Sequence, residues 1–253
     1  MLLDLPNSIR LIATDMDGTL TRRGKFTPLL LQALEALKAA GIPVVIVTGR
    51  SAGWVQGVVS YLPVAGAIAE NGGVFFPGDT EPEFLVHVPD LADHRRSLAD
   101  LFHDLQNTFP KIQEAPDNRF RLTDWTFDVR GLSAADLQRM GDRCQDAGWG
   151  FTYSTVQCHL KPAAQDKASA LEHVLQRHFP RISPAQLVTV GDSPNDESLF
   201  DKSRFPYSVG VGNVRHYLDR LSYRPNAMTE AEEVAGFWEL TQQILGRPLS
   251  SGA

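Results

Sequence analysis

A chain of 253 residues with 43% hydrophobic and 21% charged side chains has the composition of a soluble globular protein, long enough for one large domain or two moderate ones. Its 24 basic and 30 acidic residues leave a net charge of -6 with no basic block, which argues against a nucleic-acid surface and for small partners. No apolar run reaches membrane-spanning length, Met1 to Pro6 do not form a basic-then-apolar leader, and Cys144 and Cys158 fit no zinc spacing, so the expectation is a cytoplasmic protein with reduced thiols and no membrane partner.

Along the chain, Arg10 to Thr14 reads as a buried strand that Gly18 ends, so Asp15 and Asp17 emerge together at its carboxyl end. A helix follows from Pro28, with Thr27 as its cap, Leu30, Leu34 and Leu37 at helical spacing, and Gly41 closing it. Ile42 to Val47 is a second strand that ends in Thr48-Gly49-Arg50, and Gly66 to Ala69 a third that ends in Glu70-Asn71-Gly72-Gly73. Such apolar runs, separated by helical patterns, suit a parallel sheet covered on both faces.

Between residues 82 and 165 the pattern changes. Alternation at 83–88, 120–129 and 151–160 predicts half-exposed antiparallel strands. Two amphipathic helices accompany them. One runs from Asp90 to Phe109, with Leu91, Leu98, Leu101, Phe102 and Leu105 as its buried stripe, and the other from Ser133, spaced to Asp136 as in a capping box, to Gly148. Beyond the insert, Asp166 caps a helix that reaches Phe179 and carries Lys167 at its start. Two further apolar runs end in polar tips: Gln186 to Val190 before Gly191-Asp192, and Pro206 to Val211 before Gly212-Asn213. The residues after Arg247 are expected to fray. The fold class read from this order is α/β: a Rossmann-like parallel sheet core built from 1–81 and 166–253, with an α+β cap domain inserted at 82–165.

Parallel strands joined by helices bring all five polar tips to one edge. Asp15, Asp17, Asp192 and Asp196 would repel one another there, and a divalent cation relieves the conflict; Mg²⁺, which favours hard oxygen ligands and a substrate phosphate, is the expected cofactor. Lys167 adds a positive charge, and Thr48 offers a hydroxyl to a phosphate oxygen. Glu70 and Asn71, at a tip on the same edge, are candidate substrate contacts. Gln157, His159 and Lys161 alternate on one strand face that leads back to Lys167. Arg119 and Arg121 form a similar pair, while Arg50 either binds an anion or pairs with a neighbouring acid.

Asp15-Met16-Asp17-Gly18-Thr19, Thr48-Gly49-Arg50, Lys167 and Gly191-Asp192-Ser193-Pro194-Asn195-Asp196 together resemble the four ordered motifs of the haloacid dehalogenase superfamily. The insert lies between Thr48 and Lys167, which resembles the Cof-type and sugar-phosphate phosphatase branch. The resemblance implies an Mg²⁺-dependent phosphatase acting on a small phosphate ester, a sugar phosphate or a glycosylated phosphoglycerate. It implies that Asp15 is the nucleophile, forming an aspartyl phosphate, and that Asp17 is the acid and then the base. Thr48 and Lys167 complete the implied catalytic set. The implied metal ligands are Asp15, the Asp17 carbonyl, Asp192 and, directly or through water, Asp196. Substrate contacts are expected from Gly18, Thr48, Gly49, Arg50, Glu70, Asn71, His159, Lys161, Lys167 and Asn195. A phosphomutase of the same superfamily is the alternative, against which Thr48-Gly49-Arg50 argues. A non-catalytic phosphosugar-binding regulator is a third, although binding alone does not need both Asp15 and Asp17. Nothing in the sequence specifies the oligomeric state.

Overall fold

The computed structural model describes residues 8–78, 80–154 and 156–246, so the tail expected to fray lies outside the described residues. Five apolar runs form parallel strands: β1 (Leu11–Thr14), β2 (Val44–Val47), β3 (Gly66–Ala69), and, after the insert, β9 (Leu187–Gly191) and β10 (Ser208–Gly210). Every residue of these strands is buried, as a sheet covered on both faces requires. At the edges β4 (Val74–Pro77) and β5 (Glu83–Phe84) add antiparallel, and β11 (Ala227–Met228) adds parallel, giving the order β11-β10-β9-β1-β2-β3-β4-β5.

On one face of the sheet lie α1 (Pro28–Ala39), α2 (Ala52–Tyr61) and α6 (Glu233–Ile244), with Leu30, Leu34, Leu37, Val55, Val58, Phe237 and Leu240 buried against Ile12, Ile46 and Val188. The other face is covered by α5 (Lys167–His178), whose Leu171, Val174 and Leu175 pack on Leu11, Val45 and Ile68. At roughly 1.5–3 kcal/mol for each large apolar side chain removed from water, these two layers fix the strand tips in place.

The insert builds a second, three-stranded antiparallel sheet in the order β6 (Trp125–Asp128), β8 (Gln157–Pro162), β7 (Trp149–Tyr153). It is backed by α3 (Leu91–Thr108) and α4 (Ala134–Asp146). Their Leu98, Leu101, Phe102, Leu105, Met140 and Cys144 close a separate apolar cluster on Phe127, Cys158 and Leu160. Asp90 caps α3, and Ser133 with Asp136 forms the reciprocal box at α4.

Four expectations are corrected. Residues 83–88 are not an insert strand: only Glu83–Phe84 is extended, and its backbone pairs with Val74 and Phe75 of β4 at the edge of the large sheet. The single strand expected at 151–160 is a hairpin, since the Ser154 hydroxyl takes the N–H groups of Val156 and Gln157 and turns the chain. At 120–129 only Trp125–Asp128 joins the sheet; Leu122, Thr123 and Asp124 give their N–H groups to the Glu70 carboxylate instead. Thr27 stands at the start of α1 without capping it through its side chain, and the fixed backbone of Pro28 serves there instead.

Candidate active site

The carboxyl ends of β1, β2, β3, β9 and β10 converge, as parallel crossovers require, and the insert hairpin lies over them. Asp15 follows β1 directly, its N–H bonded to the Val190 carbonyl of the neighbouring strand at 2.8 Å. Lys167, at the start of α5 and almost wholly buried, donates to Asp15 Oδ1 and Asp196 Oδ1, each at 2.6 Å. Asp192 completes a buried group in which one ligand oxygen from each of the three acids lies within 4.8 Å of the others.

Burial first, and then the neighbouring Asp196, push the Asp15 carboxyl well above the ordinary aspartate range, although Lys167 opposes them. Asp192 is raised by the same causes, with Asp15 adding to Asp196. Burial disfavours the Lys167 ammonium, yet Asp15 and Asp196 more than compensate and raise its pKa. Three acids against one lysine leave a buried excess of negative charge, and the donors are all hard oxygens. That set fits Mg²⁺.

The three acids are not equivalent. Asp196 has Oδ1 on Lys167 and Oδ2 on the N–H groups of Asp192 and Ser193, so it anchors the turn as well as adding charge. Asp192 is oriented by Thr19 Oγ1 on Oδ1 and by Asn213 Nδ2, at 2.9 Å, on Oδ2. Gly18, with φ +85, is required by this packing: a Cβ there would stand 2.5 Å from Asp192 Oδ2. The Asp17 carboxylate is not one of the three clustered acids and is gripped by Arg50, Nε to Oδ2 at 2.8 Å and Nη2 to Oδ1 at 2.6 Å. Arg50 therefore pairs with the neighbouring acid; it lines the site, but with two of its donors already engaged.

Thr48 accepts the Arg50 N–H on Oγ1 and, with Gly49, lines the cavity above Asp15 and Asp17. From the hairpin, Gln157 and His159 face the same cavity, and Asn195 enters it from the turn after β9. Lys161 lies on the same side of β8 but borders a second cavity, which it shares with Asn71, Lys167 and Asn195.

Glu70 is the clearest departure from expectation. It is fully buried and points at no cavity: its carboxylate accepts the N–H groups of Ala52, Leu122, Thr123 and Asp124 and the Thr123 hydroxyl. It fastens the insert to the large sheet instead of touching substrate. Arg121 is likewise structural, holding Asp124 and Asp117 and donating to the Gly49 carbonyl at 3.0 Å. Arg119 lies over the Phe120 ring, away from the cavity. His159, whose pKa burial lowers, is fixed by a 2.8 Å contact from Nδ1 to Asp124. Asn213 was reachable from the sequence only as a polar strand tip; its partner Asp192 is 21 residues away and carries no local signature.

A family model described as haloacid dehalogenase-like hydrolase matches residues 12–109, and one described as sucrose-6F-phosphate phosphohydrolase matches 152–235. A phosphoglycolate phosphatase of Halobacterium salinarum is 30% identical over 206 residues, spanning 79% of this chain and 83% of that one. One from Staphylothermus marinus is 26% identical over 251 residues, covering 95% and 99%. Among solved structures, protein 0175 of Thermoplasma acidophilum superposes with a TM-score of 0.76 at 19% identity, over 94% of this chain and 98% of that one. The C-terminal domain of the trehalose-6-phosphate phosphatase of C. albicans gives 0.68 at 16% identity, over 95% and 93%. The chain belongs to the haloacid dehalogenase superfamily of hydrolases and, within it, to the phosphatases.

Proposed function

We propose that the chain is an Mg²⁺-dependent phosphatase that hydrolyses a small phosphorylated metabolite, of the sugar-phosphate or glycosylated-phosphoglycerate kind, through an aspartyl phosphate on Asp15. The observation that carries this reading is the buried acid cluster bound to Lys167, with a second carboxylate, Asp17, held by Arg50 beside it. Asp15 attacks phosphorus while Asp17 protonates the departing ester oxygen; Asp17 then takes a proton from the water that releases phosphate. Lys167 and the Thr48 hydroxyl donate to the non-bridging oxygens, and Arg50 orients Asp17. Mg²⁺, held by Asp15, the Asp17 carbonyl and Asp192, with Asp196 beyond, would neutralise the meeting of phosphate and carboxylate. Residues 82–165 act as a cap that recognises the organic part and excludes water.

Among the described residues no helix is long and apolar enough to cross a membrane, and both cysteines are free and buried. The free thiols support a reducing, cytoplasmic setting. Phosphate release from a panel of phosphorylated metabolites, with Mg²⁺ and with chelator, tests the reading. Release that requires Mg²⁺ and disappears in Asp15→Asn is expected. Isomerised hexose phosphate without free phosphate would establish a mutase instead.

A further inference from the structure

The tip of β3 carries backbone strain. Glu70 and Asn71 both lie in the left-handed region, with φ +55 and +53, which residues with side chains seldom occupy. Such positions persist only where the surroundings hold them. Here the holding partner is the Thr48-Gly49-Arg50 turn: the Asn71 N–H donates to the Thr48 carbonyl at 2.9 Å, and the Glu70 N–H to the Arg50 carbonyl at 3.0 Å. The Glu70 side chain takes the same stretch further on, its Oε1 accepting the Ala52 N–H at 2.8 Å. Glu70 thus fixes the chain at and just after Arg50, the residue that grips Asp17.

The other arm of the carboxylate reaches the insert. Oε2 accepts the Thr123 N–H at 2.6 Å, the Thr123 hydroxyl at 2.8 Å and the N–H groups of Leu122 and Asp124. The flanking residues of that segment turn back to the reaction cavity: Arg121 donates to the Gly49 carbonyl, and Asp124 fixes His159, which lines the cavity. A carboxylate suits this double task because both oxygens accept and neither donates. An amide has a single acceptor oxygen and leaves one arm unmade. Stability alone does not account for the choice. Burial first, and then Asp124, push the Glu70 carboxyl up to about 6 against the pull of Arg121 and the N–H donors, so the ionised form is kept at a cost.

We propose that Glu70 is a positioning residue for the acid–base step: by seating the insert and the Arg50 turn on one carboxylate, it keeps the Arg50 guanidinium aimed at Asp17. Its effect passes through Arg50 and not through contact with substrate. The inference rests on the phosphatase reading above and adds to it a residue outside the reaction cavity.

The probe is p-nitrophenyl phosphate with Mg²⁺, whose turnover calls on Asp17 as the base toward water whatever the leaving group. In Glu70→Gln kcat is expected to fall by about tenfold with KM nearly unchanged, the scale of a slightly misaimed group. The distinguishing measurement pairs this change with Arg50→Lys. Acting through Arg50, Glu70→Gln adds less than about twofold to the loss in Arg50→Lys, whereas independent losses multiply to about a hundredfold. Thr123→Val deletes only the hydroxyl donor to Oε2; it is expected to lower kcat by about threefold, again with no added loss beside Arg50→Lys, and it carries the test if Glu70→Gln does not fold. Unchanged kcat in the folded variants, a loss expressed only in KM, or losses that multiply with Arg50→Lys would overturn the assignment. Failure of the wild type to release phosphate from this ester would instead overturn the phosphatase reading.

Discussion

Replacing Asp15 by Asn abolishes turnover on the proposed mechanism, and the same change is expected to stabilise the metal-free protein. Asp15 Oδ1 lies 2.6 Å from the Lys167 ammonium. At an effective dielectric constant near 20 that contact is worth about 6 kcal/mol. Asp192 and Asp196, with oxygens within 4.8 Å, each repel Asp15 by about 3 kcal/mol on the same scale. The Coulomb terms nearly cancel, and the desolvation of a fully buried carboxylate stands uncompensated. Asn keeps the shape and the acceptor for Lys167 without the charge. In chelator the variant is expected to be more stable by about 2 kcal/mol, a rise of about 4–8 °C in melting temperature for a chain of this size. Mg²⁺ reverses the order: at a hundred times its dissociation constant it adds about 2.7 kcal/mol to the wild type and little to the variant. Thermal unfolding of both proteins, each with EDTA and with Mg²⁺, reads all four values. If the variant melts at or below the wild type in EDTA, or if Mg²⁺ raises both equally, the cluster is not a strained metal site and the reasoning fails.

Asp17→Asn removes the proposed acid and base outside the buried cluster, so kcat is expected to fall by about 10²–10⁴ while the melting temperature holds; unaltered turnover would take Asp17 out of the mechanism. Arg50→Lys cannot reproduce the two-pronged grip on Asp17, and a loss of about tenfold in kcat with little change in KM is expected from steady-state kinetics. Gly18→Ala drives a methyl group into Asp192 from a left-handed backbone, which predicts about 1–3 kcal/mol of destabilisation and a weaker Mg²⁺-induced thermal shift. Asp124, buried between Arg121 and His159, is held below its usual pKa of 3.8 despite the cost of burial. Its depressed pKa makes this contribution fully present above about pH 4 and lost as pH falls through the folded value, so the stability gap between wild type and Asp124→Asn is expected to shrink on acidification in urea titrations. A gap that widens would contradict the assignment.

The parallel core was legible because each strand is a short apolar run stopped by polar or glycine residues, a pattern set by local burial on both faces. The convergence of polar tips was legible for the same reason: Asp15, Thr48, Lys167 and Asp192 sit at element ends, where sequence order and topology together bring them to one edge. What the sequence concealed depends on pairings without a local period. Glu70 reads as a polar strand tip, and nothing near it announces that its partners are the amides of Leu122 to Asp124. The hairpin at Ser154 was hidden by uninterrupted alternation, because a serine hydroxyl, not glycine or proline, makes the turn. Arg50 and Arg121 advertise charge but not destination, and their acids lie in other segments or across a turn.

The seam between the insert and the sheet is mostly polar. Glu70 meets Leu122 to Asp124, Arg121 meets the Gly49 carbonyl, and Gln165 meets the Glu70 carbonyl. The insert's apolar cluster, spanning Leu98 to Leu160, is closed within itself, and among the described residues from 91 onward the insert lends the two sheet-flanking clusters only Leu122. Mutations that remodel the hairpin therefore have their stability cost confined to the insert's own packing. Sequence change in the hairpin can then proceed while the acids at the strand ends of the large sheet keep their positions.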